Sequence, residues 1–114
     1  MRSLSIQIQP DRSPGIDVER LTQEFLAISE VAALVRHHAF ESGNDNGPYF
    51  NFTFGTLDAQ ALWQAIQERI YRSPEHGPHM SRASMAMCSG EAGWEDYSQL
   101  FHYDPAVPVD QNAL

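Results

Sequence analysis

The run Tyr49-Phe50-Asn51-Phe52-Thr53-Phe54 restricts the possible folds of this chain more than any other segment. Side chains two apart on a strand share a face, so Phe50, Phe52 and Phe54 point one way and Tyr49, Asn51 and Thr53 the other. Such a strand needs a sheet with one side packed against apolar material and one side left polar. Pro48 is tolerated at its first position, and Gly55 marks its expected end. Upstream, Asn44-Asp45-Asn46-Gly47 is a strong turn signal. A hairpin needs a strand before that turn, which places one from about Leu34 to Phe40. Val31, Leu34, Val35 and the alanines of the same stretch also suit a helix capped by Ser29. That alternative removes one strand and leaves the class α+β.

The other elements follow from periodicity. Leu4, Ile6 and Ile8 alternate with Ser5, Gln7 and Gln9, a half-buried strand stopped by Pro10. Pro10 to Gly15 is rich in turn residues. Asp17 is placed to cap a helix whose stripe is Val18, Leu21, Phe25 and Ile28, with Glu19 and Glu24 in its early turns. Thr56 or Asp58 starts a second helix, where Leu62, Trp63, Ile66 and Ile70 form one face before the break at Ser73-Pro74. Pro74 to Pro78 reads as a loop and Met80 to Cys88 as a strand. The segment Trp94 to Asp104 is either a short helix or an added edge strand. The order strand, helix, strand, strand, helix, strand and tail matches a ferredoxin-like βαββαβ plait, an antiparallel sheet with two helices on one face.

A chain of 114 residues fits a single domain, spanning 1–114, with an expected radius of gyration of roughly 13 Å. With 42% hydrophobic and 11% aromatic residues it can build a core. No apolar run approaches the roughly 20 residues needed to span a bilayer. The N-terminus alternates instead of forming a signal-peptide apolar core. The expectation is a soluble, cytoplasmic protein. Cys88 is the only cysteine, set among Met85, Ala86, Met87 and Ser89, and reads as a buried small hydrophobe.

Charge is the most unusual property. Against 15 acids stand 7 bases, every one an arginine, and the formal net charge is −8. Beyond Arg82 lie Glu91, Glu95, Asp96, Asp104 and Asp110 with no basic residue among them. Such a field repels phosphates and anionic lipid, which excludes nucleic acid and membrane as partners. It speeds encounter with a basic surface.

No catalytic constellation emerges, and the expectation is a protein that is not an enzyme. Neither a nucleophile elbow, a P-loop nor a dinucleotide fingerprint occurs. His76 and His79 could share a metal on one helical turn, but Gly77 and Pro78 are read as denying that helix, and no third ligand lies nearby in sequence. His37 and His38 are adjacent and diverge on either a strand or a helix. Asn44-Asp45-Asn46-Gly47 lacks the alternating oxygens and distal glutamate of a calcium loop. No metal and no cofactor is expected. An RNA-stacking role for Phe50 and Phe52 is opposed by the net charge, and a core role is simpler.

The remaining candidate is the C-terminal segment. Trp94 and Tyr97 are residue types enriched at interface hot spots, and Glu91, Glu95, Asp96 and Asp104 would supply an acidic rim. The runs Tyr49 to Phe54, Leu62-Trp63 with Ile66, Gly93-Trp94-Glu95-Asp96-Tyr97 and His102-Tyr103-Asp104-Pro105 resemble small bacterial immunity proteins, which are encoded beside toxins delivered between bacteria, as in type VI secretion. The resemblance spans most of the chain past residue 30 and its motifs are structural. It implies an inhibitor that binds one cognate toxin, often over an active site made basic to handle phosphates, as a monomer or weak dimer. A second reading is a small-molecule-binding or enzymatic dimer of the same fold, with Arg36, His38 or Arg82 as the polar groups of a pocket between helices and sheet.

Overall fold

The central strand is β1 (Arg2–Ile8), which pairs antiparallel with β3 (Pro48–Thr56) on one side and with β4 (Ser84–Gly90) on the other. β2 (His37–Asn44) pairs with the outer side of β3, and β5 (Gly93–His102) with the outer side of β4. The result is an α+β fold with one antiparallel five-stranded sheet in the order β2-β3-β1-β4-β5. The computed structural model describes residues 1–90, 92–110 and 114. Its radius of gyration is 13.2 Å, as the length requires.

Alternation along β1 decides which face is packed. Leu4, Ile6 and Ile8 are fully buried, and the register sets them beside Phe54, Phe52 and Phe50 of β3 and beside Cys88, Ala86 and Ser84 of β4. The helices cover this face: Leu21, Phe25 and Ile28 of α1 (Val18–Ser29), Leu62, Trp63 and Ile66 of α2 (Ala59–Ile66), and Met80 of α3 (Gly77–Ala83) join the same cluster. Phe25 stacks on Phe52 with ring centroids 4.4 Å apart and planes 19° from parallel. Phe40 meets Phe52 and Phe54 edge-on at 4.9 and 5.6 Å. Aromatic pairs in these geometries contribute about 0.5–1.5 kcal/mol beyond the area they bury.

The opposite face is polar and its rungs bond to one another. Ser5 and Thr53 hydroxyls lie 3.1 Å apart, and the Gln7 amide donates to Asn51 Oδ1 at 3.0 Å. Cross-strand pairs of this kind hold register without apolar cover.

Local signals explain the element ends. Asp17 caps α1 by accepting from the Arg20 N–H, and Asp58 caps α2 by accepting from the Ala61 N–H, each at 3.0 Å. The β2–β3 turn needs positive φ, supplied by Asn46 at 55° and Gly47 at 134°. α2 passes into a π-helical turn over Gln67–Tyr71, with the Arg72 N–H donating to Gln67 O. This turn keeps Ile70 buried and sets Tyr71 edge-on between Trp63 and Phe101.

Three expectations are corrected. The strand placed at 34–40 lies at His37–Asn44, because residues 31–35 form a helical turn in which Val31 O accepts from the Leu34 and Val35 N–H groups. Gly55 does not end β3, which runs on to Thr56. Residues 80–83 are helix and not strand. Pro78 sits in the first turn of α3, where its missing N–H costs nothing. Met80 and Ala83, three apart, are buried together, and Ser84 Oγ donates to Met80 O at 2.7 Å where the helix ends. Of the two readings for the tail segment, the edge strand is the one observed.

Two outcomes follow. Phe25→Ala removes the ring stacked on Phe52 and is expected to cost about 3–5 kcal/mol in urea unfolding; a loss below about 1 kcal/mol would show that the stack does not anchor α1. Burial pushes the Tyr71 phenol well above the usual tyrosine range, against a smaller opposing effect of its 2.8 Å hydrogen bond with Ser84. The folded state therefore holds that proton more tightly than the unfolded chain. Its contribution is complete below the unfolded value of about 10 and is lost as pH rises beyond it. Tyr71→Phe should flatten the fall in stability above about pH 10, and an unchanged slope would mean that Tyr71 does not drive it.

Candidate protein-binding edge

β5 pairs with β4 only in short stretches, with register shifts between Ala86 and Met87 and, more widely, between Cys88 and Gly90. Cys88 stands opposite Ser98 and Gly90 opposite Gly93, so the four residues Trp94 to Tyr97 face Ser89 alone. The surplus must bulge from the sheet. Ser89 is itself occupied, its hydroxyl accepting from the Ser3 N–H at 2.8 Å.

Asp96 fixes the base of this bulge. Its carboxylate accepts from the Ala92 N–H at 3.1 and 3.3 Å and packs over Gly90, leaving no space for a side chain there. Trp94 is 45% exposed and Tyr97 52% exposed, the only aromatics among the large exposed hydrophobics of the described residues. Glu95 is exposed between them. Among the described residues the acid–base pairs engage Glu24 and Glu75, and none engages Glu95 or Asp96.

The predicted site residues therefore divide. Trp94, Glu95, Asp96 and Tyr97 are brought together on one bulge. Asp104 lies past the other end of β5, on the order of 25 Å away along an extended chain. There its N–H donates to His102 Nδ1 at 3.0 Å and its carboxylate accepts from the Ala106 N–H at 2.9 Å, organising a turn. Glu91 lies outside the described residues. Nearby, the Arg12 guanidinium sits 3.9 Å from the Tyr103 ring centroid, worth about 0.5–1 kcal/mol at an exposed site.

The residues considered for other chemistry have packing roles. His79 Nδ1 shares a 2.7 Å hydrogen bond with the Ser13 hydroxyl, and His76 is buried with Nε2 3.8 Å from Glu75. Both lie at the start of α3, on the turn that Gly77 and Pro78 were read as denying. Among the described residues no three His, Cys, Asp or Glu side chains come together to hold a metal ion. His37 and His38 are exposed, and His38 lies against Phe40. Burial raises the Cys88 thiol above its usual range, with the Arg2 guanidinium partly offsetting this, so the group is held as an unreactive thiol.

Sequence reasoning passed over a polar cleft of about 370 Å³ at one end of the open sheet face, walled by Gln7, Gln9, Asp11, Asp45, Tyr49 and Asn51. Its floor is self-satisfied: the Gln9 amide donates to Gln7, and that of Gln7 to Asn51. The polar half of the β1 alternation was the one available signal, and it reads equally as a solvent face. Arg36, His38 and Arg82 line neither this cleft nor a second one beside Arg2 and Leu57.

Trp63 is 6% exposed and Trp94 45%. Acrylamide should therefore quench Trp94 emission and spare Trp63, so Trp94→Phe should leave a blue-shifted, poorly quenched spectrum. Equal quenching before and after the substitution would contradict an exposed Trp94. The chain matches no family model, no curated protein and no solved structure among those compared with it.

Proposed function

We propose that this chain is an acidic binding protein of the immunity type. It inhibits a cognate bacterial toxin in the cytoplasm by occupying a basic, phosphate-handling surface and performs no catalysis of its own. The observation that carries this reading is the bulge on β5, where Trp94 and Tyr97 stand exposed beside two acids without basic partners among the described residues. Large aromatics desolvated at the centre of an interface supply most of its energy. Acids around them set the encounter rate. Asp96 contributes by pinning the bulge, and Asp104 adds charge at the far end of the strand.

We read the topology as a ferredoxin-like plait carrying β5 as an added edge. Supporting this is the order β4-β1-β3-β2, with helical connections between β1 and β2 and between β3 and β4.

The test is binding of the purified chain to the product of the adjacent toxin gene in moderate salt. Trp94→Ala is expected to cost about 2 kcal/mol or more, roughly thirtyfold in Kd. Charge reversal at Glu95 should lower the on-rate and its salt dependence. Failure to bind the toxin would sink the immunity reading, and an unchanged Kd in a folded Trp94→Ala chain would take Trp94 out of the interface.

A further inference from the structure

The two edges of the sheet are finished differently. β5 is broken by its bulge and crossed by the tail, where the Asp110 N–H donates to Gln99 O at 2.8 Å. β2 keeps unbroken register with β3 through eight pairs, from His37 opposite Gly55 to Asn44 opposite Pro48. Six of its eight residues are exposed. It contains no proline and no lysine, and Glu41 is its one formal charge. Apart from the Glu41 charge, β2 has no proline, bulge or covering tail to blunt its edge.

Its outward hydrogen-bonding groups can be identified. The Asp45 N–H donates to Gly47 O, and bonded pairs recur at every second position of an antiparallel ladder. The odd-numbered residues of β2 thus bond to β3, and the N–H and C=O groups of His38, Phe40, Ser42 and Asn44 point away from the sheet. We propose that this edge pairs with the same edge of a second copy of the chain, antiparallel about a two-fold axis at Phe40, joining two sheets into one.

Every register centred on a residue of β2 matches outward groups to outward groups, and those centred on Phe40 and Glu41 overlap the most of His37–Asn44, seven residues each. Centring on Glu41 sets the two Glu41 carboxylates opposite each other at the closest spacing of the ladder, which is repulsive. Centring on Ser42 runs into the Asn44–Gly47 turn and shortens the ladder. Centring on Phe40 pairs residues 37–43 of each copy and sets His38 opposite Ser42 and Ala39 opposite Glu41. It also brings Arg36 to the Asn44-Asp45 end of the second copy, a complementary charge. Phe40, already edge-on to Phe52 and Phe54, then meets its own copy and carries the aromatic row across the seam. Two chains of net charge −8 repel, and a strand with one acid is where that repulsion is small. β5 lies at the opposite edge, so this pairing is independent of the proposed function.

Sedimentation of the full chain at rising concentration tests the proposal. The mass should move from 12.8 kDa toward twice that value. Ser42→Pro removes one outward N–H at an edge position that tolerates proline, and should weaken self-association at least about tenfold in a chain that still unfolds cooperatively. Ala39→Glu should also weaken it, and adding Glu41→Lys to that variant should restore it, because these positions face each other only in the Phe40-centred register. A monomer at every concentration overturns the proposal, as does a dimer indifferent to Ser42→Pro and Ala39→Glu. A double variant no tighter than Ala39→Glu overturns the register. A monomer whose toxin binding is lost on Ser42→Pro overturns it in favour of strand addition by another chain.

Discussion

The stack of Phe25 on Phe52 is the contact through which the two layers of the molecule are registered. Phe52 belongs to β3, the strand that pairs with both β1 and β2, and Phe25 is the middle anchor of α1. With those rings in place the alternation of β1 can bury only Leu4, Ile6 and Ile8, and that choice sends Ser5 and Gln7 to the other face. A slip of one residue would reverse every one of these assignments. A second aromatic line, Trp63 to Tyr71 to Phe101, performs the same task for the other half of the sheet and ties the π turn to β5.

One consequence is a sheet with helices on one side only. The open face is stabilised by its own polar rungs, so it needs no apolar cover, and the polar cleft at its end has a floor whose amides already bond to one another. What the fold leaves unsatisfied is its edges. β5 meets this with a bulge, exposed acids and the returning tail, whereas β2 presents a straight row of backbone groups. The two edges are thus suited to different partners, one chosen by side chains and one by main chain.

The bulge on β5 separates structural from binding roles among neighbouring residues. Asp96 spends its carboxylate on the Ala92 N–H and on the close approach to Gly90, which holds the bulge open. Trp94, Glu95 and Tyr97 are left outward by that anchoring. A rigid base beneath exposed aromatics lowers the ordering cost of binding, which is where affinity is most often lost.

Much of this was legible in the residues. The Phe50-Phe52-Phe54 alternation required β3 and its polar outer face. Asp17 marked one helix start and the alternatives Thr56 or Asp58 the other, of which Asp58 is the cap observed, and the Asn44–Gly47 turn demanded a strand before it. These signals are local, since capping and alternation depend on neighbours in sequence. α3 was missed because Gly77 and Pro78 were read as helix breakers and Met80 was joined to the strand that follows, whereas Pro78 is tolerated in the first turn and the three-apart pair Met80 and Ala83 shares a buried helical face. Asp104 was grouped with Trp94 because both are near one another in sequence, yet an extended β5 sets them at opposite ends. Sequence by itself determined β1 and β3, the Asp17 cap and the acidity of the C-terminal third. The tertiary structure alone decided which edge is bulged, which is straight and which acids are already engaged, because those depend on pairing between segments far apart in the chain.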